Sequence, residues 1–545
     1  MADPILLAVI RGALEQITEE MDAVIASSAI SPVIADAWDR ASGIFHPTTG
    51  EVIVQGSTGM PIFVTVMQHT VQEVLKEHDP ETMKPGDVFI INDPYRGGTH
   101  TMDVKFVQPY FRDGKLLAFL ANTGHWPDVG GMTPGGFTPC STDVYQEGLR
   151  FPPVKVYDEG KLNASLLQVM MSNMRVADER RGDMAAQINS LELGCRRLDL
   201  LFEQFGEDLI FEVIGELKSR SETMMRQHIQ SIPDGTYHFQ DWMDNDGVDP
   251  EPFLIDLKMI VEGDEITFDL SGSSAERRGP FNSPYGSTIS ALMIGVKHAF
   301  PDVPINSGCF VPFKYIVPEG SMFNPRPPAP VSCTTTETAQ RLVCVTLGAL
   351  AQAMPGRVPA GAFGTGTNIG LGGESAQYGR YATIFYFGGG YGAYPDADGL
   401  TNGSTLISAS RNTSIEVLEH NVPLLFTRYA VRTHSGGKGK HRGGLGVEID
   451  FHLREGTAYL TLVGDRGRTG PHGLEGGESG LPAEHTFVRN GETFTSEHLT
   501  KIDRLYIKSG DGVRLRTPGG GGFGNPAERL PDLIRDDVLN EYCPQ

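Results

Sequence analysis

Residues 97–128 read GGTHTMDVKFVQPYFRDGKLLAFLANTGHWPD. Two apolar runs, VKFVQPYF and KLLAFLANTG, flank Arg112-Asp113-Gly114-Lys115. An Asp-Gly pair between β-type runs signals a two-residue hairpin turn, because both turn positions need positive φ. The stretch is therefore expected to form an antiparallel hairpin. A strict two-residue turn at Asp113-Gly114 would pair Asp103 with Gly124 and leave His125 one step away. Asp103 and His125 would then face opposite sides of the sheet. A one-residue bulge restores a common face, and with it His100, Asp103 and His125 converge at one end of the hairpin. Gly97 and Gly98 let the loop before them fold tightly enough for that.

His and Asp both bind zinc, manganese or iron. An H-x-x-D pair alone carries little weight, since a polar loop that happens to contain a His is the commoner case. The second His at the end of the partner strand is what raises it. Asp39, in AWDRASGIF, precedes a strand–turn–strand pattern in which PTTG separates SGIF from EVIV, and is a candidate fourth donor; its competing reading is a turn cap. Asp128, in HWPDVGG, is a candidate for proton transfer or for orienting a ligand His. Its competing reading is an Asx turn before Gly130-Gly131.

Outward from the hairpin, Ile10, Leu14, Ile17, Met21 and Val24 follow helical spacing, with Asp3-Pro4 as cap and first turn. A second helix is expected near 65–78, and PGDVFIINDP reads as a strand. Residues 163–230 read as mainly helical and 235–271 as strands. Helices are expected over 285–300 and 336–354, the latter buried on most faces. TTTETAQRL (334–342) reads as a capped helix start whose polar residues could face a site. Short strands and turns fill 421–518, and a short helix follows Asn525-Pro526. The fold class expected is α+β and multidomain, with mixed and antiparallel sheets, helical segments and many Gly-rich loops. The segments are 1–230 (metal site, hairpins and helices), 231–275 (small, β-rich), 276–420 (α/β) and 421–545 (β-rich).

The 545 residues exceed one ordinary core. Net charge of -23 argues against nucleic acid or an anionic membrane as the main partner. The six cysteines form no CxxC pair, which disfavours a thiolate zinc site and fits a reducing cytoplasm. The N-terminus lacks a basic n-region, and Arg11 interrupts its apolar run, so no signal peptide is expected. Glycine is abundant, at 66 residues. TPGGGGFG (517–524) formally fits G-x-G-x-x-G, but too little chain follows for a βαβ unit. GGKGKHRGG (436–444) lacks the Walker A pattern, which occurs nowhere in the chain. No G-x-S-x-G elbow is present, which disfavours a serine hydrolase.

The stretches GDVFIINDPYRGGTHTMDV, NTGHWPDVGGMTPG, MRVADERRGDMAAQINS, ETAQRLVCVTLGALAQAMPGRVPAG, GKHRGGLGVEI and TPGGGGFGNP run in order along nearly the whole chain. They resemble the hydantoinase B / 5-oxoprolinase / acetone carboxylase α-subunit family. The resemblance implies a B-type subunit that works with an ATP-binding hydantoinase A-type partner, in a hetero-oligomer such as α2β2. It implies ATP-Mg in the partner and a divalent metal in this chain, zinc first, with manganese or iron as alternatives. The ligand motif carries onto His100, Asp103 and His125, and the family's N-terminal Asp onto Asp39. The surroundings differ there: Trp38-Asp39-Arg40-Ala41-Ser42 stands where many members read arginine-aspartate-phenylalanine-serine. Thr335 also stands where the family usually has Asn. The activity implied is opening of a cyclic amide, such as a hydantoin, 5-oxoproline or another lactam, after phosphorylation of its oxygen by the partner. Two rivals remain: an ATP-dependent ketone carboxylase, and a non-catalytic scaffold subunit.

Overall fold

The computed structural model describes residues 3–408 and 410–543, except for the side chain of Val64; Met1, Ala2, Ala409, Pro544 and Gln545, which touch the first, third and last expected segments, lie outside it. The first sheet comprises β1 (Arg40–Phe45), β2 (Val52–Gln55), β3 (Val88–Ile91), β4 (Asp103–Arg112), β5 (Lys115–His125), β6 (Val154–Asp158) and β7 (Lys161–Leu162). Its order is β2-β1-β5-β4-β3-β6-β7, and every neighbouring pair is antiparallel.

The hairpin forms as the Asp-Gly turn requires. Asp113 has φ 50° and Gly114 φ 77°, the two positive values of a type I′ turn. The bulge is present. Arg112 pairs with Lys115 and Phe111 with Leu116, but Tyr110 pairs with Ala118. Leu117 is thus the extra residue, and from there on the register places Asp103 directly opposite His125.

The two faces of this sheet carry different helices. Asn122 donates to the Gln187 carbonyl at 2.7 Å, and Gln187 reaches the Val104 carbonyl at 3.0 Å. That face packs on the helices Pro4–Ser28 and Ala177–Phe205. On the opposite face stands the helix Phe63–Glu77, with Tyr285–Ala299 and Ala339–Ala353 stacked behind it. Helix Pro4–Ser28 starts as its sequence predicts: the Asp3 carboxylate accepts from the Ile5 amide at 2.8 Å and Pro4 occupies the first position. Its buried stripe runs Ile10, Leu14, Ile17, Met21 and then Ile25 rather than Val24. A straight helix has 3.6 residues per turn, so a strict 3.5 spacing drifts off the core face and a step of four restores it.

A second sheet joins Gly235–Met243, Phe253–Glu262 and Glu265–Asp269 to Phe313–Ile316, the last pairing parallel to its neighbour. A third joins Asn368–Ser375 and Gly379–Tyr386 to Thr457–Val463 and Ile502–Lys508, and a fourth gathers five strands between Leu424 and Arg516. The second and third sheets thus draw strands from both sides of positions 275 and 420. An α+β fold with mixed and antiparallel sheets results. The strand Asn368–Ser375 (NIGLGGES) is masked in the sequence by its glycines. A Cβ at Gly373 would lie 2.3 Å from the Thr457 carbonyl oxygen, so close approach of the neighbouring strand demands glycine there.

The C-terminal Gly-rich loops pack against one another. Gly437 donates to the Gly520 carbonyl at 2.8 Å and Gly522 to the Glu478 carbonyl at 2.9 Å. A Cβ at Gly443 would sit 2.0 Å from the Gly520 oxygen. These amides are used within the protein, which explains why the G-x-G-x-x-G match at 519–524 carries no nucleotide fold. No helix among the described residues is long and apolar enough to cross a membrane.

Candidate metal centre

His125 is the hub of the site, placed by two strand pairings. On one side β4 sets Asp103 opposite it. On the other, β1 pairs Arg40 with Gly124, and the His125 amide donates to the Asp39 carbonyl at 3.0 Å. Directly opposite residues of an antiparallel pair point to the same face. Asp39, His125 and Asp103 therefore form a row across three strands. His100 joins from the loop before β4, where the Asp103 amide donates to the His100 carbonyl at 3.3 Å.

That loop depends on its glycines. Gly97 has φ 73°, and a Cβ on it would lie 2.6 Å from backbone atoms of His69 and Thr70 in the helix Phe63–Glu77. The Thr70 hydroxyl donates to the Gly97 carbonyl at 2.5 Å. A Cβ on Gly98 would lie 2.5 Å from the Asp93 carbonyl oxygen. Asp39 is aimed by an unusual backbone too. Trp38 before it has φ 63°, a conformation that bulky side chains rarely adopt and that recurs at functional sites. The Arg411 guanidinium stacks 3.7 Å above the Trp38 ring and helps hold it.

The donor atoms of His100, Asp103 and His125 all lie within 4.8 Å of one another. His125 Nδ1 is 3.1 Å from Asp103 Oδ1 and 3.8 Å from Asp39 Oδ2, and His100 Nδ1 is 3.4 Å from Asp103 Oδ2. Donors bound at roughly 2.1 Å to one ion sit about 3.0–3.5 Å apart, so the cluster has the spacing of a ligand shell. Asp39 Oδ1, His100 Nδ1 and His125 Nε2 are buried and lack hydrogen-bond partners. Buried polar atoms of native proteins are normally satisfied, and a cation held at the cluster would satisfy His100 Nδ1. The Thr99 hydroxyl donates to Asp103 Oδ2 and orients it. Phe137 lies 5.4 Å from His100 and stacks 5.6 Å from His125, shielding both rings from water.

Protonation suits the same role. Burial holds His100 down at about 3, so its imidazole is neutral with a lone pair to give. Burial works to raise Asp103, but the two imidazoles outweigh it and its carboxyl stays well below the usual range. Burial raises Asp39 to about 7 against the opposing pull of His125. His125 is raised despite its burial, because Asp39 and Asp103 flank it. The charges of two carboxylates and two imidazoles thus suit a divalent cation.

Asp128 takes the other reading open to it. It is fully buried, its Oδ1 accepts from the Gly130 amide at 2.9 Å, and Arg175 Nη1 meets its two oxygens at 2.8 and 3.1 Å. It closes an Asx turn and an ion pair and does not line the cavity beside the cluster.

That cavity, of about 50 Å³, is lined by Asp39, His100, Asp103 and His125 and by residues from four distant segments. Thr335, Thr336 and Gln340 come from the TTTETAQ stretch, which forms a π-turn over Thr334–Thr338 leading into helix Ala339–Ala353. Such turns are frequent at functional sites, and polar residues at an otherwise apolar helix start were the sequence signal. Asn368, Tyr386, Ser408 and Ser410 also line it. No local pattern marks them, because only the tertiary fold brings them there.

A buried His/Asp cluster at the end of an antiparallel hairpin, beside a small cavity, could hold a metal ion. The Hydantoinase B/oxoprolinase family model matches residues 3–526, and the chain belongs to that family. It is 30% identical to the caprolactamase subunit beta of Pseudomonas jessenii, over 99% of this chain and 94% of that one. The crystal structure of the ATP-dependent caprolactamase from that organism superposes with a TM-score of 0.90 at 28% identity, covering 100% of this chain and 95% of its counterpart. The nucleotide-free structure of an acetone carboxylase shares the fold at TM-score 0.88 and 18% identity, covering 100% of this chain and 78% of that one. The 5-oxoprolinase 1 of Arabidopsis thaliana is 28% identical over 96% of this chain, which spans 42% of that protein.

Proposed function

We propose that this chain is the metal-holding subunit of an ATP-dependent cyclic amide hydrolase whose nucleotide site lies in a hydantoinase A-type partner. The observation that carries the reading is the row of Asp39, His125 and Asp103 with His100 beside it, lining one small cavity. The family match and the caprolactamase relative support the class of substrate. An amide is a poor electrophile because of its resonance, and phosphorylation of its oxygen in the partner would remove that protection. A divalent cation at the cluster would supply activated water or polarise the substrate oxygen. His100, Asp103 and His125 hold the cation, and Asp39 Oδ2 completes the set. Asp39 Oδ1 faces no other protein group and is placed to take a proton in the cavity, a role that Asp128 is too far committed to Arg175 to fill. Zinc suits the two imidazoles and two carboxylates, as do manganese and iron.

His125→Ala and His100→Ala are expected to reduce bound metal from one equivalent to near zero and to abolish turnover in the reconstituted complex. Metal content is read by elemental analysis and turnover by ATP-coupled lactam hydrolysis. Full turnover in a metal-free variant would sink the reading. The carboxylase reading is carried by the shared fold with acetone carboxylase. ATP hydrolysis that requires a ketone and bicarbonate, and ignores lactams, would establish it instead.

A further inference from the structure

The cavity beside the cluster has two chemically different walls. One is apolar and made by Met60, Ile62, Phe63, Ile384 and Ile407. The other carries side-chain amides and a hydroxyl with nothing to bond: Gln340 Oε1, Asn368 Nδ2 and Thr336 Oγ1 are buried and without partners. Gln340 and Asn368 are 1% and 4% exposed. Leaving buried polar groups unpaired is costly, so three in one lining call for a ligand that bonds to them. Asn368 and Thr336 lie close together: a Cβ on Gly366 would be 2.4 Å from Asn368 Nδ2 and 3.1 Å from the Thr336 Cβ. Side-chain amides present a donor and an acceptor, which is what a cis ring amide, with its N–H and C=O on one edge, needs in return.

Charge is the second constraint. Among the described residues lining the cavity there is no lysine and no arginine. The buried Lys105 turns its ammonium to the Asp103 carbonyl at 3.2 Å and lies 5.8 Å from the centre of the Phe63 ring, outside the lining. A ring carboxylate would meet hydroxyls and amides there but no cationic side chain in the lining, so its burial would cost more than that of a neutral ring. The volume agrees with a small ring: about 50 Å³ holds roughly three to five waters at about 10–15 Å³ of probe volume each.

We infer that the cavity selects a small uncharged lactam, recognised through Gln340, Asn368 and Thr336, and rejects cyclic amides that carry a ring carboxylate. This rests on the cyclic amide reading above and narrows it. Calorimetric titration of the full-length chain, metal-loaded and metal-free, with 2-piperidone and with 5-oxoproline tests it. The neutral lactam is expected to bind at least about 100-fold more tightly than the acid, as expected where one ligand leaves buried groups unpaired. Gln340→Leu should weaken lactam binding by about 10-fold or more while bound metal stays at one equivalent. Ile407→Arg, which puts a guanidinium on the apolar wall, should shift preference toward the acid. If that variant fails to fold, the two ligands on the natural chain decide the matter. Equal or tighter binding of 5-oxoproline overturns the inference and leaves the cyclic amide reading standing. Binding of neither cyclic amide also overturns it. If the complex in addition turns over a ketone only with bicarbonate, the functional reading falls with it.

Discussion

His125 shows how much a single residue inherits from its neighbours. Its ring is fixed by Asp103 at 3.1 Å and approached by Asp39 at 3.8 Å, so it has no freedom to leave the ligand position. Asp103 is held in turn by the Thr99 hydroxyl. Groups that orient a metal ligand are commonly worth 10- to 100-fold in metal affinity. Thr99→Val keeps the shape and removes the hydroxyl, so it is expected to weaken metal binding by about 10- to 100-fold, read by competition with a chelator, with little change in fold. Unchanged affinity would mean that Asp103 is positioned by the backbone alone. Asp128 separates a structural from a chemical role. In Asp128→Asn the Oδ1 can still accept from Gly130, and only the charge facing Arg175 is lost. The expected result is about 1–3 kcal/mol of lost stability by denaturant unfolding, with metal content and turnover kept. A steep fall in turnover at unchanged stability would return Asp128 to proton transfer.

At the scale of elements, legibility follows the range of the interaction. The hairpin could be read because its turn is local: Asp113-Gly114 specifies positive φ in two adjacent residues. The need for a bulge could also be read, since without it Asp103 and His125 would face apart; that Leu117 is the extra residue could not, because a bulge is placed by packing along both strands. The pairing of β1 with β5, which brings Asp39 to His125, joins residues some 85 positions apart and leaves no local trace. The strands at 368–386 were hidden because their glycines, needed for close approach, resemble a loop. The π-turn at Thr334–Thr338 has a consequence of its own. Glu337 within it is fully buried, its Oε1 accepts from the Gly366 amide at 3.1 Å, and its Oε2 has no partner. Burial, with Asp465 nearby, raises its carboxyl to about 8 from an ordinary 4.5. An acid whose folded pKa lies above its unfolded value stabilises the fold fully below the unfolded value, and that contribution is lost as pH rises through the folded one. Glu337 therefore favours folding at pH 5 and loses that effect between about 5 and 8. Glu337→Gln, which is neutral throughout, should flatten this part of the stability–pH profile and raise stability at pH 8 relative to the natural chain. An unchanged slope in urea unfolding across that window would show that Glu337 does not titrate there.

For the whole molecule, the His/Asp cluster lies in a chain whose two most phosphate-like Gly-rich segments are closed to a nucleotide. The two Gly-rich segments best suited by composition to cradle phosphates instead bond to each other through Gly437, Gly444 and Gly520, packed so closely that a Cβ at Gly443 would not fit. Backbone amides already spent in this way cannot also bind a phosphate. The Arg442 guanidinium in the first segment is engaged as well: its Nε is 3.2 Å from Asp537 Oδ1, and its Nη2 is 3.8 Å from Asp398 Oδ2. The proposed ATP-dependent reaction would then draw its nucleotide from a partner chain, in keeping with the beta-subunit designation of the caprolactamase relative. The purified chain alone is expected to release no phosphate from ATP, with or without a lactam. Co-expression with the A-type subunit should restore phosphate release, and a lactam should stimulate it only when His100 and His125 are intact, because an activated amide that is not consumed stalls the cycle. The measurement is phosphate release in the four combinations of partner and lactam. ATP hydrolysis by the isolated chain would locate a nucleotide site here after all and would overturn this division of labour, whereas lactam-stimulated hydrolysis that survives His125→Ala would move the amide chemistry, along with the ATP, into the partner.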